Sequence, residues 1–89
     1  MSVYVDDLHY TRPTRRWYYD EACHLMADNE EELHAFATRL QLRRAWFTAG
    51  RWPHYDLTAN KRREALKLGA LAITSKALLR HFMGREILE

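Results

Sequence analysis

The sequence predicts a small α/β sandwich, with a mostly parallel four-stranded sheet and about three helices in the order ββαβαβα. Three observations predict it. Short runs of aliphatic, β-branched and aromatic residues alternate with helix-length amphipathic segments from Ala22 onward, the pattern of parallel strands joined by right-handed crossovers. Each helical segment opens on a capping residue, and two of the three close on glycine. Each short apolar run ends abruptly in a polar residue. Val3-Tyr4-Val5 meets Asp6-Asp7, His24-Leu25-Met26-Ala27 meets Asp28, Tyr55-Asp56-Leu57 meets Thr58, and Leu71-Ala72-Ile73 meets Thr74. Parallel strands with such ends gather their polar tips along one sheet edge, where open α/β sheets place ligands.

The elements follow in order. Ser2–Val5 reads as a strand by its β-branched and aromatic content. Leu8–Glu21 reads as an irregular segment containing Pro13, three arginines, and the rings of His9, Tyr10, Trp17, Tyr18 and Tyr19. Ala22–Ala27 is a second strand. Asp28 with Glu31 predicts a capping box, and Glu30 to Glu32 place negative charge at the positive end of the helix dipole. Leu33, Phe36, Ala37 and Leu40 then fall on one helical stripe. Leu42–Phe47 fits either a short strand or more helix. Gly50 and Pro53 mark a loop, His54–Leu57 a third strand, and Thr58 the cap of a helix that Gly69 ends. Ala70–Ile73 is a fourth strand. Thr74 or Ser75 caps a last helix that Gly84 terminates, with Ile87 and Leu88 available to dock the tail.

Composition bounds the class. The 89 residues form one domain, 1–89, with a modest core. No stretch approaches the roughly 20 apolar residues that span a bilayer. Asp6 and Asp7 stand where a secretory leader would be basic then apolar. A single cysteine, Cys23, excludes an internal disulfide. Together these predict a soluble cytoplasmic protein. Net charge is only +2 but polarised: residues 1–34 hold three Lys/Arg against eight Asp/Glu, and residues 35–89 hold eleven against four. That asymmetry fits a basic face for an anionic partner, or two halves that pair in the fold.

Several residues are candidates for chemistry, each with a structural reading beside it. Asp6 and Asp7 at a strand end suit Mg²⁺ or Mn²⁺, although adjacent acids on a strand point apart and one can instead cap a helix. Cys23-His24 is a candidate ligand pair whose side chains also diverge, which argues against structural zinc. His54 and Asp56 share a strand face, as a base with its orienting acid, as two metal ligands, or as a hydrogen-bonded pair. Arg62 falls within the apolar arc of its helix and needs a partner, either Asp7 or Asp56 or a bound phosphate near the helix start at Thr58. Arg43-Arg44 beside Trp46, Arg51-Trp52, and Arg15-Arg16-Trp17-Tyr18-Tyr19 interleave cations with rings, as nucleotide and single-strand binders do. The same pattern arises when a tryptophan packs on the core and its arginines are solvated. Leu78, Leu79, Phe82 and Met83 give the last helix a wide apolar surface, enough for the sheet and for a homodimer contact.

These blocks together resemble a known family. They are Val3-Tyr4-Val5-Asp6-Asp7, Cys23-His24-Leu25-Met26-Ala27-Asp28, Glu32-Leu33-His34-Ala35, Arg43-Arg44-Ala45-Trp46-Phe47, His54-Tyr55-Asp56-Leu57-Thr58, Lys61-Arg62, and Gly69-Ala70 with Ile73-Thr74. The family comprises small bacterial and phage proteins known as domain of unknown function 4031. The resemblance covers about Val3 to Thr74 and implies a bacterial or phage-infected cytoplasm. It brings no catalytic residues with it.

The function expected from the residues is a binding module for a phosphate-bearing ligand, a nucleotide or a nucleic-acid end. Arg62 and Thr58 would take the phosphate, His54 and Asp56 would orient the ligand, and Arg44 or Trp52 would meet the base or sugar. The second reading is a metal-dependent phosphodiesterase or nuclease, with Asp6 or Asp7, Asp28, His54 and Asp56 around Mg²⁺ or Mn²⁺. The third is a protein-interaction module acting through the Trp/Arg loops and the last helix.

Overall fold

The computed structural model describes the backbone of residues 2–88 and the side chains of residues 2–83. The elements are β1 (Val3–Val5), β2 (His9–Tyr10), β3 (Glu21–Ala27), α1 (Glu30–Arg39), a 3₁₀ turn at Arg44–Trp46, β4 (Tyr55–Leu57), α2 (Ala59–Lys67), β5 (Leu71–Ala72) and α3 (Ser75–Leu88). The sheet has five strands and is mixed. β3 is its spine, with β1 on one edge and β4 on the other, both antiparallel, so that Leu25 lies between Val5 and Tyr55. β5 extends the sheet parallel to β1.

The expected four-stranded, mostly parallel sheet is therefore corrected. The cause is the segment Leu8–Glu21, which folds as a hairpin arm instead of an irregular loop. β2 pairs with the first residues of β3, His9 opposite Ala22. A chain that returns through a hairpin must enter β3 antiparallel, because a parallel return needs a crossover long enough for a helix. The β2 register is one residue out of step with that of β1, so the strand bulges once around Asp6–Leu8.

β1, β4 and β5 point one way and β3 the other. The tips Asp6, Thr58 and Thr74 therefore meet at one edge. Asp28, at the end of β3, lies at the opposite edge, where its carboxylate accepts from the Ser2 N–H at 2.9 Å.

Strand alternation divides the residues between two faces. Val3, Val5, Cys23, Leu25, Ala27, Tyr55 and Leu57 form the core with Leu33, Phe36, Ala37 and Leu40 of α1 and Ala65 of α2. On the other face Tyr4 meets the rings of His81 and Phe82 of α3, and Leu78 is buried. The layers are thus α1 and α2, sheet, α3. Among the described residues no helix is long and apolar enough to cross a membrane.

Helix ends refine the sequence reading. The cap of α1 is Asn29, not Asp28, and its side chain accepts from the Glu32 N–H at 2.7 Å. Asp28 is drawn away by Ser2 and the Tyr4 hydroxyl. Thr58 caps α2 as expected, and Gly69 follows with φ +106°, a conformation open to glycine. Thr74 caps α3, accepting from the Ala77 N–H. Gly84 does not end α3, which continues to Leu88. Helical propensity costs glycine only about 1 kcal/mol, too little to break a helix whose neighbours are good formers. The proposed docking of Ile87 and Leu88 lies outside the described side chains. The ambiguous Leu42–Phe47 is neither strand nor α-helix; its middle, Arg44–Trp46, is a 3₁₀ turn.

Candidate metal centre

Three side chains converge on the α3 face of the sheet, beside the row that runs from Asp6 at the end of β1 across β3 to the middle of β4. His24 lies directly opposite Asp56 in the β3–β4 ladder, and His54 precedes Asp56 by two residues. Strand geometry therefore places all three on one face. One donor atom from each of His24, His54 and Asp56 lies within 4.8 Å of the others. His54 Nε2 stands 3.6 Å from Asp56 Oδ1.

Both imidazoles are oriented from behind. His24 Nδ1 lies 2.8 Å from Oδ2 of Asp6, and the His24 backbone N–H donates to Oδ1 at 2.6 Å. Asp6 is only 2% exposed, and the Ser75 hydroxyl also donates to it at 3.1 Å. His54 Nδ1 donates to the Trp52 carbonyl at 2.8 Å. A carbonyl only accepts, so the neutral His54 ring carries its proton on Nδ1 and keeps a lone pair on Nε2. An acceptor behind each ring is the arrangement that orients metal-ligating histidines.

Electrostatics follow from these contacts. Burial pushes Asp6 upward, but hydrogen bonds from the His24 ring and backbone, the His24 charge and Ser75 together hold its carboxyl below the ordinary value. The hydrogen bond to Asp6 raises His24 against the opposing effect of burial, and the charges of Asp6 and Asp56 add to the rise. Cys23 faces the other way, into the core, and burial with nearby Asp6 pushes its thiol up to about 12. It is no ligand here, as its adjacency to His24 predicted.

The remaining candidates separate. Asp7 is exposed and caps α3 through the Ser75 N–H at 3.1 Å, which is the capping role foreseen for one acid of the pair. Asp28 sits at the far edge with Tyr4 and His81 Nε2 and cannot join the set. Arg62 finds neither a carboxylate nor an open cleft. Its Nε donates to the Asp6 carbonyl at 2.9 Å, so its buried-side charge is met by a backbone dipole and tethers the β1 tip. The Thr58 hydroxyl is taken by the Lys61 N–H. Arg44 is exposed in the 3₁₀ turn, near Tyr55 on the opposite face of the sheet. The expected phosphate group of Arg62, Thr58, Arg44 and Trp52 is thus not brought together around His54 and Asp56. Trp52 alone of these joins them.

A cleft of about 330 Å³ opens in front of the histidines, lined by Asp6, His24, Met26, Trp52, His54, Ser75, Leu78 and Leu79. The His9 ring stacks on His24 at 5.3 Å, and His54 meets His24 edge-on at 5.0 Å. A second cleft of about 190 Å³ shares Met26 and Trp52 with the first and is lined by Asn29, Arg51, Pro53 and Phe82 among others.

His24, Ser75 and His9 are the site residues the sequence reading left unassembled. His24 carried a signal, since alternation turns it away from buried Cys23. Its pairing with Asp56 depends on a strand register that only tertiary structure sets.

A family model described as "Protein of unknown function (DUF4031)" matches residues 3–85, nearly the whole chain and every residue of this site. The chain belongs to this family. Searches of curated proteins and of solved structures give no match. The family description assigns no chemistry, so the geometry must supply it.

The donors fit a transition metal. Two neutral imidazole nitrogens and one carboxylate suit Zn²⁺ or Mn²⁺, whereas Mg²⁺ prefers oxygen ligands. Ligands about 2.1 Å from a metal lie closer together than 4.8 Å, so loading needs a contraction of roughly 1 Å. Asp56 is exposed and free to supply that movement. Three protein ligands would leave coordination positions for water or substrate.

Proposed function

We propose that this chain binds a divalent transition-metal ion through His24, His54 and Asp56 and uses it to hydrolyse phosphate esters. The observation that carries the reading is the convergence of three donor atoms within 4.8 Å, with both imidazoles held from behind by Asp6 and the Trp52 carbonyl. A bound ion supplies an acidified water and polarises a phosphoryl oxygen. The protein's own residues do the rest. Asp6 fixes the ring of His24, Arg62 holds the Asp6 backbone in place, and Met26, Leu78 and Leu79 form an apolar wall that strengthens charge interactions in the cleft. Phosphate esters are favoured over neutral substrates because α3 begins at Ser75, which lines this cleft, and helix N-termini stabilise anions. A lone, buried Cys23 and a metal-dependent esterase both fit the cytoplasm of a bacterial or infected cell.

Two measurements test the proposal. Calorimetric titration of the metal-free protein with Zn²⁺ and Mn²⁺ should give one site per chain, lost in His54→Ala. The loaded protein should then hydrolyse bis(p-nitrophenyl) phosphate, and Asp56→Ala should not. No metal uptake by a folded sample refutes the reading. Metal uptake without turnover of any ester leaves a metal-dependent binding module and refutes the catalytic half.

A further inference from the structure

We infer that the hairpin arm joining β2 to β3 is a docking surface for single-stranded nucleic acid, so that the phosphate ester presented to the proposed metal centre is a phosphodiester of a single strand. The second half of this inference rests on the metal reading, whereas the first half stands on the arm itself.

The arm is built, not loose. Thr11 N–H donates to the Asp20 carbonyl at 2.8 Å and the Thr11 hydroxyl to the Tyr19 carbonyl at 3.0 Å. At the tip, Thr14 and Trp17 exchange backbone hydrogen bonds of 2.6 and 3.3 Å, which puts Arg15-Arg16 on the two-residue turn. The Trp17 indole N–H donates to the Glu21 carbonyl at 3.3 Å, and its ring packs edge-on against Tyr19 at 5.3 Å. These rungs hold the rings in place, yet leave Tyr10, Tyr18 and Tyr19 at 76%, 79% and 54% exposed. Such exposure of large rings on an ordered arm gives the fold no burial in return.

The chemistry of the arm selects its occupant. Arg12, Arg15 and Arg16 are all exposed, and the first acid after them is Asp20 at the base. Cations set among exposed rings match a chain of phosphates carrying unstacked bases. Stacking on side-chain rings is open to a single strand and closed to a paired duplex. From His9 to Asp20 there is no Leu, Ile, Val, Met or Phe, so the arm lacks the aliphatic side chains that a bilayer contact buries.

The arm is continuous with the cleft. β2 pairs with β3 two residues before His24, and the His9 ring stacks on that of His24. A strand lying on the arm therefore runs from the arginine tip over His9 to the metal ligands. The bulge after Asp6 offsets the arm from β1, while Asp6 itself keeps the β1 register and faces His24.

The test separates the arm from the metal. Anisotropy of a labelled single-stranded oligothymidine about a dozen nucleotides long is measured in EDTA. Wild type should bind it more tightly than the same length of duplex. Tyr18→Ala with Tyr19→Ala should weaken binding at least about fivefold, and the two Phe replacements should restore it. Arg15→Ala with Arg16→Ala should reduce the slope of log affinity against log salt by about 1.4, two phosphates at about 0.7 each. Lys67→Ala, which removes an exposed cation on α2 in the layer opposite the metal ligands, should bind the strand as wild type does. Absence of strand binding, equal binding of duplex, or indifference to both double variants overturns the inference. So does binding to phosphatidylserine vesicles in place of the oligonucleotide. Strand binding by a protein that takes up no metal overturns the metal reading and leaves the arm's role standing.

Discussion

Asp6 and His24 face each other across the β1–β3 ladder and share three hydrogen bonds: the His24 ring Nδ1 and backbone N–H donate to the Asp6 carboxylate at 2.8 and 2.6 Å, and the Asp6 N–H donates to the His24 carbonyl at 3.3 Å. A buried carboxylate that fixes both the position and the ring of one histidine is a positioning group for whatever that histidine holds. Its removal should therefore loosen the proposed ion. Asp6→Asn is expected to lower Zn²⁺ affinity by about 10- to 100-fold in calorimetric titration, the usual effect of losing a histidine's outer partner. Unchanged affinity would show that Asp6 serves the fold alone.

The same pair makes the stability of the metal-free protein depend on pH. Asp6 is held below its ordinary 3.8, so its contribution is present above that value and is lost as pH falls through the folded value. His24 is raised above 6.5, so its contribution is complete below 6.5 and is lost as pH rises through the folded value. The denaturation midpoint in EDTA should accordingly be higher at about pH 5.5 than at about pH 8.5. His24→Gln should flatten that difference, and a variant with the wild-type pH profile would contradict the assignment.

Arg62 and Thr58 should behave as structural residues. Arg62→Met removes the tether on the Asp6 carbonyl and should cost about 1.5 kcal/mol in urea unfolding. Thr58→Ala removes the α2 cap and should cost about 1 kcal/mol. Thr58→Ala should leave metal affinity unaltered. A large loss of phosphate-ester binding in this variant, with stability intact, would restore the phosphate site expected from sequence.

Cys23 should be inert in the folded protein. Its thiol is buried and pushed up to about 12, so almost no thiolate exists at neutral pH. Iodoacetamide at about pH 8 should label it only after unfolding, at a rate set by opening of the core. Rapid labelling of the native chain, followed by mass spectrometry, would place Cys23 at the surface and undo the division of faces that sets His24 toward the cleft.

Tight packing on the opposite face should make Leu25 costly to truncate. It lies between Val5 and Tyr55 with no exposed surface, and Leu25→Ala should lower stability by about 2–5 kcal/mol. A loss below about 1 kcal/mol would mean that β3 is not the centre of the sheet.

The sequence by itself determined the local features. Thr58 and Thr74 declared helix starts, Gly69 a helix end, and the stripe of Leu33, Phe36, Ala37 and Leu40 the buried side of α1. It also put His54 and Asp56 on one face, because side-chain alternation along a strand is a local property. The direction of β3 was not local. It depends on whether Leu8–Glu21 returns as a hairpin arm, which propensity alone does not decide, and that return placed Asp28 at the wrong edge for the site. Nor could the sequence pair His24 with Asp56, or hand Asp6 to His24 and its carbonyl to Arg62. Those contacts join residues 18 and 56 positions apart, as well as strands β3 and β4, so they are fixed by register and by burial of a common core. Residue type supplied the donors, and only the packed sheet could bring them within reach of one ion.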